Sequence, residues 1–345
     1  MCGIVALIGR QPIQHALLQG LNHLEYRGYD SAGVALIEQA QLITHHAVGK
    51  VNALEALLAN HAHQSTIGIA HTRWATHGPV TVANTHPHTC ANEIAIVHNG
   101  IINNAETLKT HLPREHTFSS DTDSELIAHW LHWQTEQGLD MLAALKHFAH
   151  YAKGSYAVVV LDRKHPDTLW AICQQSPLVL GLSDECIGFA SDPLALITHT
   201  QEFIYLQCGD CVRIHLETGY HIEDINGETQ QRTIHSLQLP QAHNLKENFK
   251  HHMLKEIHEQ PKVLQTLIKQ TETLPTADYI QFVGCGSSYY AGLIGQYWLQ
   301  KLAQLPSHVS IASEYRYLPA WTPKNSMLIS LSQSGETAEI AKSNK

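Results

Sequence analysis

Met1-Cys2-Gly3-Ile4-Val5-Ala6-Leu7-Ile8-Gly9-Arg10 opens the chain, and the rest is organised around it. A cysteine follows the initiator methionine directly and leads into an apolar run with a strand's composition. Removal of Met1 leaves Cys2 with a free α-amine beside its own thiol. That amine titrates at about 7.7–8.0, so much of it is an available base near neutral pH. A nucleophile carrying its own base needs no histidine partner. Taken alone, Cys2 is better read as a small buried residue at the head of a core strand, so a functional reading depends on motifs elsewhere in the chain.

Downstream, residues 12–25 place Ile13, Leu17, Leu21 and Leu24 at helical spacing. Tyr26-Arg27-Gly28-Tyr29-Asp30-Ser31 is a dense polar and aromatic turn before a strand at 33–37, followed by a strand at 42–48 and a helix at 51–60. A strand at 67–70 runs into His71-Thr72-Arg73-Trp74-Ala75-Thr76-His77-Gly78-Pro79, which gathers a cation, an indole, a hydroxyl and an imidazole before a breaker. A merely solvated loop seldom invests a tryptophan, so this one is read as a binding loop. A strand at 94–97 leads to His98-Asn99-Gly100. Asn-Gly alone marks a hairpin, but Asn103-Asn104-Ala105-Glu106 follows with a capping pattern and a helix to about 111. The turn is therefore read as joining strand to helix, where an amide and a backbone N–H can face a developing oxyanion. Ser120-Asp121-Thr122-Asp123-Ser124-Glu125 opens a helix to about 135; its acids serve equally as caps or as a seat for a ligand's ammonium. A helix at 139–149 and strands at 155–161, 168–173, 178–183, 186–190, 202–206 and 211–215 complete two stacked sheets between helix layers. Residues 217–250 are polar and aperiodic and read as a linker.

The chain then changes character. After a helix at 251–270, a strand at 279–283 enters Gly284-Cys285-Gly286-Ser287-Ser288 and a helix from Tyr289. A strand at 326–331 enters Ser332-Gln333-Ser334-Gly335-Glu336-Thr337 and another helix start. Backbone N–H groups and hydroxyls at such a junction suit a phosphate. No lysine follows either glycine, which excludes a nucleotide P-loop, and the Gly-x-Gly lacks the third glycine of a dinucleotide fingerprint.

Composition narrows the classes. At 345 residues, 43% of them hydrophobic, the chain has room for two domains with real cores. A net charge of −9 without any basic block argues against nucleic acid as a partner. The 27 histidines read as scattered surface residues, so mild acidification should bring the net charge towards zero and lower solubility near pH 6. Seven dispersed cysteines argue against a disulfide framework and for a reducing, cytoplasmic compartment. Cys208-Gly209-Asp210-Cys211, at a turn between strands, reads as structural. The N-terminus lacks the basic region of a signal peptide, and no run of 18 apolar residues would span a membrane.

Together, Cys2-Gly3-Ile4, Tyr26 to Ser31, His71 to Gly78, His98-Asn99-Gly100 and Thr122-Asp123 resemble the class II, N-terminal-nucleophile glutamine amidotransferases. With Gly284 to Ser288 and Ser332 to Thr337 added, the chain resembles the branch of that family that serves hexosamine biosynthesis. The resemblance implies an α+β four-layer αββα sandwich (residues 1–220, glutaminase), a linker (221–250) and a partial doubly wound α/β sugar-isomerase (SIS) domain (251–345). It implies that Cys2 attacks the side-chain amide of L-glutamine, with Asn99 and the Gly100 N–H as oxyanion hole. Arg73 would take the substrate carboxylate, Asp123 and the Gly100 carbonyl its ammonium, with Trp74, Thr76 and His77 on the closing loop and Arg27 supporting the nucleophile. Ser287, Ser288, Ser332, Gln333, Ser334 and Thr337 match the sugar-phosphate contacts. The implied reaction converts fructose 6-phosphate to glucosamine 6-phosphate without metal or organic cofactor, in a homodimer when full-length. Delivering ammonia to the acceptor makes the second step effectively unimolecular. Residues 270–345 supply about half of a doubly wound sheet, so this chain is expected to hydrolyse glutamine without making the amino sugar. Two alternatives stand beside it, one within the same superfamily and one of a different class. A related amidotransferase acting on a phosphoribosyl or aspartyl acceptor would carry a pyrophosphate loop or a Ser-Gly-Gly motif downstream, and neither occurs. A non-catalytic glutamine or sugar-phosphate sensor would keep Met1 and survive loss of the Cys2 thiol.

Overall fold

The structure, a computed structural model, describes residues 2–75, 78–113, 116–237, 249, 252–270, 275–315, 317 and 323–332. By internal contacts the chain divides into two compact units, Met1–Glu247 and Asn248–Lys345.

In chain order the first unit has β1 (Gly3–Gly9), α1 (Gln14–His23), β2 (Ser31–Glu38), β3 (Gln41–Val48), α2 (Val51–Leu58), β4 (Ile67–Arg73), β5 (His88–Cys90) and β6 (Ile94–Ile102). It continues with α3 (Ala105–Lys109), α4 (Glu125–Glu136), α5 (Met141–Tyr151), β7 (Gly154–Asp162), β8 (Thr168–Gln174), β9 (Val179–Leu182) and β10 (Cys186–Ala190). β11 (Glu202–Tyr205), β12 (Cys211–His215), β13 (Gly219–Glu223) and β14 (Ile234–Ser236) close it. These strands form an eight-stranded sheet, β14-β11-β9-β10-β1-β4-β2-β3, and a six-stranded sheet, β13-β12-β8-β7-β6-β5.

Side-chain alternation builds the layers. Ile4, Ala6 and Ile8 of β1 face the second sheet and meet Ala95, Val97, Ala157 and Val159. Val5 and Leu7 turn the other way, onto Leu17 and Leu21 of α1 and Leu54 of α2. In the second sheet Ile96, Val158 and Val160 pack on Trp130 and Leu131 of α4 and Leu145 and Phe148 of α5. Both faces of the central strands are covered, which is why they read as unbroken apolar runs. The expected αββα sandwich is the fold observed.

Several local expectations are corrected. β6 does not end at Val97; it runs on through Asn99 and Gly100 to Ile102, paired with β7 from Asp162 to Gly154. The Asn-Gly pair therefore lies within a strand, and α3 begins three residues after it ends. Asn104 does not cap α3 with its side chain; its amide donates to Tyr151 O (3.0 Å) and its carbonyl oxygen accepts from Lys153 N (2.8 Å). α4 starts only at Glu125, because Glu125 Oε1 and Oε2 accept from the backbone and hydroxyls of Ser119 and Ser120 and hold them in a loop. The segment read as a linker carries β13, paired with β12, and β14, paired with β11; short polar strands at sheet edges show no core-facing alternation. Nor are the histidines all superficial: His71, His86, His88, His98, His129 and His132 are buried. All seven cysteines are free, with Cys208 exposed and Cys211 buried.

The second unit contains α6 (His252–Gln270), β15 (Tyr279–Gly284), α7 (Ser287–Trp298), β16 (Ser307–Ile311), α8 (Ala312–Tyr315) and β17 (Ser326–Leu331). β15 lies between β16 and β17, parallel to both. The chain goes from β15 to one neighbour and then crosses to the other, so the carboxyl ends of β15 and β17 flank a reversal of strand order, where parallel sheets bind ligands. Among the described residues no helix is long and apolar enough to cross a membrane.

Candidate active site

Cys2 stands immediately before β1, the strand between β10 and β4, so its position is set by a ladder buried on both faces. The backbone N–H of Trp74, one residue past β4, donates to Cys2 Sγ (3.3 Å), and the Trp74 carbonyl lies 3.6 Å from the same sulfur. The Cys2 carbonyl is held twice, by Arg27 Nε (3.2 Å) and by Asn99 Nδ2 (3.1 Å). Burial pushes the Cys2 thiol above its ordinary value, against the lowering effect of the Trp74 N–H and the Arg73 charge. At neutral pH the sulfur is therefore a thiol that needs a base to take its proton.

Arg27 is itself buried and lies 3.5 Å from Asp192 through its terminal nitrogen. Tyr26 donates from its hydroxyl to the same carboxylate (2.8 Å). Ser191, next to Asp192, pairs with β1 through its hydroxyl and its N–H.

Asn99 is oriented by a residue to which the sequence assigned no role. His71 Nε2 lies 3.0 Å from Asn99 Oδ1 and 3.1 Å from the His98 carbonyl. Both partners are acceptors, so Nε2 carries the proton and the Asn99 carbonyl oxygen must face His71, which turns the amide nitrogen towards Cys2. Burial holds His71 neutral, with its pKa lowered to about 3. No spacing in the sequence marks this contact, because His71 and Asn99 sit on different sheets. Gly100, next in β6, has φ of +135°, and a Cβ there would come within 2.0 Å of the Ser155 carbonyl oxygen. Only glycine fits that position, which leaves an exposed backbone beside Asn99.

Arg73 ends β4 and is buried; its guanidinium donates to the carbonyls of Pro79 (3.2 Å) and Gly78 (3.3 Å). Burial lowers its pKa, opposed by the carboxylates of Asp30 and Asp123 and by Cys2 when it ionises, which therefore share its neighbourhood. Asp123 accepts from the Ile102 N–H at 2.7 Å, which fixes the loop before α4 to the end of β6. Asp30 accepts from Ala75 N (2.8 Å) and steadies the start of the 74–79 loop. The Trp74 indole is exposed and meets the Tyr29 ring edge-on at 5.2 Å. Thr76 and His77 lie outside the described residues. Cys2, Arg27, Arg73, Trp74, Asn99, Gly100 and Asp123, chosen from five separate stretches of sequence, thus come from the ends of β1, β4 and β6 and the loops beside them.

In the second unit Ser287 and Ser288 form the first turn of α7, two residues earlier than the sequence suggested, behind Gly286. A Cβ on Gly284 would lie 3.0 Å from the Ser288 carbonyl carbon and the Tyr289 nitrogen, so the strand enters the helix without room for a side chain. Ser332 directly follows β17. Gln333, Ser334 and Thr337 lie outside the described residues.

Residues 71–198 match the model of a glutamine amidotransferase domain, and residues 273–345 match that of an SIS domain. Among solved structures the chain is similar to the glutamine phosphoribosylpyrophosphate amidotransferase from B. subtilis complexed with ADP and GMP (TM-score 0.57, 20% identity, 89% of this chain and 65% of that one). It is also similar to an allosteric regulatory enzyme of purine biosynthesis (TM-score 0.58, 19% identity, 96% and 69%). With its sandwich, and Cys2 at the head of a central strand, the first unit has the fold of the N-terminal-nucleophile glutamine amidotransferases. Over nearly its whole length the chain also aligns with glutamine–fructose-6-phosphate aminotransferases (isomerising). The enzyme of Idiomarina loihiensis is 41% identical over 357 residues, 98% of this chain, and that of Wigglesworthia glossinidia brevipalpis 43% identical over 366 residues, 99% of it. The chain is similar to these enzymes over nearly its whole length, carries a glutamine amidotransferase domain and an SIS match, and spans 58% and 59% of the length of these two relatives.

Proposed function

We propose that the first unit hydrolyses L-glutamine at Cys2 and that the second binds a sugar phosphate. In the whole enzyme, ammonia from the first would aminate fructose 6-phosphate to give glucosamine 6-phosphate. The observation that carries this reading is the convergence of Cys2 before β1, Arg73 at the end of β4 and Asn99 of β6 from the facing sheet, with Asp123 fixed to the end of β6.

With Met1 removed, the Cys2 α-amine accepts the thiol proton, directly or through one water, as the sulfur attacks the side-chain carbonyl carbon of glutamine. The carbonyl oxygen gains the negative charge. The Asn99 amide, aimed by the neutral His71, and the Gly100 N–H are the donors for that charge. Collapse breaks the carbon–nitrogen bond; the α-ammonium returns its proton to the leaving nitrogen, and ammonia departs from a thioester. Water then attacks the thioester, glutamate leaves, and the thiol is restored. The planar Arg73 fork suits the substrate α-carboxylate, while Asp123 and the Gly100 carbonyl suit its α-ammonium. Trp74, Thr76 and His77 would close over the bound amino acid.

In the second unit, the hydroxyl-rich loops after β15 and β17 suit a phosphate through Ser287, Ser288, Ser332, Gln333, Ser334 and Thr337. We take the full-length enzyme to be a cytoplasmic homodimer whose reaction needs no metal or organic cofactor, without nucleic acid or membrane as partner. The test of the first step is glutamate release by the purified chain. Cys2→Ala should lower it by about 10⁴-fold or more without shifting the melting temperature. An unchanged rate would remove Cys2 from the mechanism.

A further inference from the structure

We propose that Cys90, His116 and His129 form a metal site for a borderline-soft divalent cation, zinc foremost, distinct from the Cys2 site. Three separate elements bring the donors together: Cys90 ends β5, His116 precedes the Ser119–Ser120 turn, and His129 lies one turn inside α4. Their ligand atoms all lie within 4.8 Å of one another. Cys90 Sγ is 3.2 Å from His129 Nδ1, and His116 Nδ1 is 3.0 Å from that same nitrogen.

Hydrogen bonding alone serves this arrangement poorly. His129 Nδ1 has one proton or one lone pair, yet a thiol and a second imidazole both converge on it. A cation at the centre satisfies all three at once. With zinc–nitrogen bonds of about 2.0–2.1 Å and a zinc–sulfur bond of about 2.3 Å, a tetrahedron has ligand–ligand edges of roughly 3.3–3.6 Å. The separations involving His129 are already close to that, so loading needs only small outward movements.

The surroundings agree. His129 Nε2, the nitrogen facing away from the cluster, lies 3.6 Å from Glu125 Oε1. A metal-bound histidine commonly turns its other N–H to a carboxylate, which fixes its tautomer. Glu125 is held in place by the four hydrogen-bonding groups of Ser119 and Ser120. Burial, ahead of the charges of Glu136, Glu125 and Glu93, pushes the Cys90 thiol up to about 12, so a bound cation must displace its proton; the same three carboxylates draw a divalent cation to the site. One thiolate and two imidazoles favour zinc over magnesium or calcium, which take oxygen donors. Cys90 and His129 are buried while His116 is half-exposed, so the fourth position opens on the His116 side, where water can complete the shell.

The site would clamp the loop that leads from His116 to Asp123 onto β5 and α4. On the glutaminase reading, that loop carries the seat of the substrate ammonium. Metal binding itself does not depend on that reading, and the test reads metal alone.

The test uses the full chain carrying Cys2→Ala and Cys208→Ser, which removes the nucleophile thiol and the exposed one, after stripping with a chelator. Cobalt(II) is titrated and then displaced with zinc(II). The expected result is one equivalent with a near-ultraviolet thiolate-to-cobalt band and the strong visible bands of a tetrahedral ion, both abolished by zinc. Adding Cys90→Ser should remove the thiolate band. His116→Ala, at a half-exposed loop position that folding tolerates, should weaken zinc binding at least tenfold in competition with a chromogenic chelator. The absence of a thiolate band at one equivalent, its persistence in Cys90→Ser, or unchanged zinc affinity in His116→Ala would each overturn the proposal.

Discussion

The two units hang their loops on sheets of very different substance. β1, which leads out of the Cys2 site, is buried at all seven positions between a second sheet and a helix layer. β15, which leads into the Gly284–Ser288 loop, has a core whose buried members among the described residues are Ile280, Phe282 and Val309, with Val283 and Ala312 on its other face. Large apolar side chains of its helices and turns stay exposed, among them Ile268 (74%) and Leu302 (77%). An apolar residue stabilises by about 1.5–3 kcal/mol only when it is buried. The comparison teaches that a similar strand–loop–helix plan can give a rigid site or a soft one, depending on what covers the sheet.

Acid should separate the two units most strongly. His71 and His88 have folded pKa values lowered to about 3 by burial, and His86 is held well below the ordinary value for the same reason. Unfolded, each takes up a proton near pH 6.5. The stability they contribute is therefore present above about pH 6.5 and is lost as pH falls from there towards 3. At pH 5.5 each forfeits roughly 1.4 kcal/mol, about 4 kcal/mol for the three. In the second unit the described His258 and His308 are exposed. Melting curves at pH 7.5 and 5.5 should show the first unit losing far more than the second; equal losses would contradict the assignment of these rings as neutral.

Glycine substitutions sharpen the same contrast. Gly100→Ala combines a positive φ with a 2.0 Å approach to a carbonyl oxygen, and should cost about 3 kcal/mol. Gly284→Ala meets neighbours at 3.0 Å, and should cost about 1–2 kcal/mol. Denaturant midpoints measure both. Asn99→Ala should lower kcat for glutamate release by about 10²-fold with little change in KM, since His71 keeps its bond to the His98 carbonyl. A loss confined to KM would remove Asn99 from the oxyanion hole. The smallest effect is kinetic: limited proteolysis should cut beyond Glu247 first, because local opening is easiest where apolar burial is least. Earlier cleavage within β1 to β10 would reverse the comparison.

The sandwich was legible because β1, β6 and β7 are covered on both faces and read as apolar runs. The loop from Arg73 and the Asn99-Gly100 pair stood out by composition. What failed had non-local causes. Pairing of His98 to Ile102 with Gly154 to Val158 keeps β6 extended where the local Asn-Gly signal says turn. β13 and β14 exist because edges of existing sheets accept them, not because their own sequences alternate. The buried histidines were missed because imidazole is neutral once its water is removed, and nothing in spacing announces that. Cys90, His116 and His129 likewise meet only through the fold.

The central claim is a liberated amine and a thiol on one residue, set where a glutamine amide can reach them. It is tested most directly by intact-mass and peptide mapping after treatment with an electrophilic glutamine analogue. The account predicts a chain lacking Met1, one adduct per chain on Cys2, and protection by L-glutamine. A retained Met1, or a glutamine-protected adduct on any other cysteine, would contradict it.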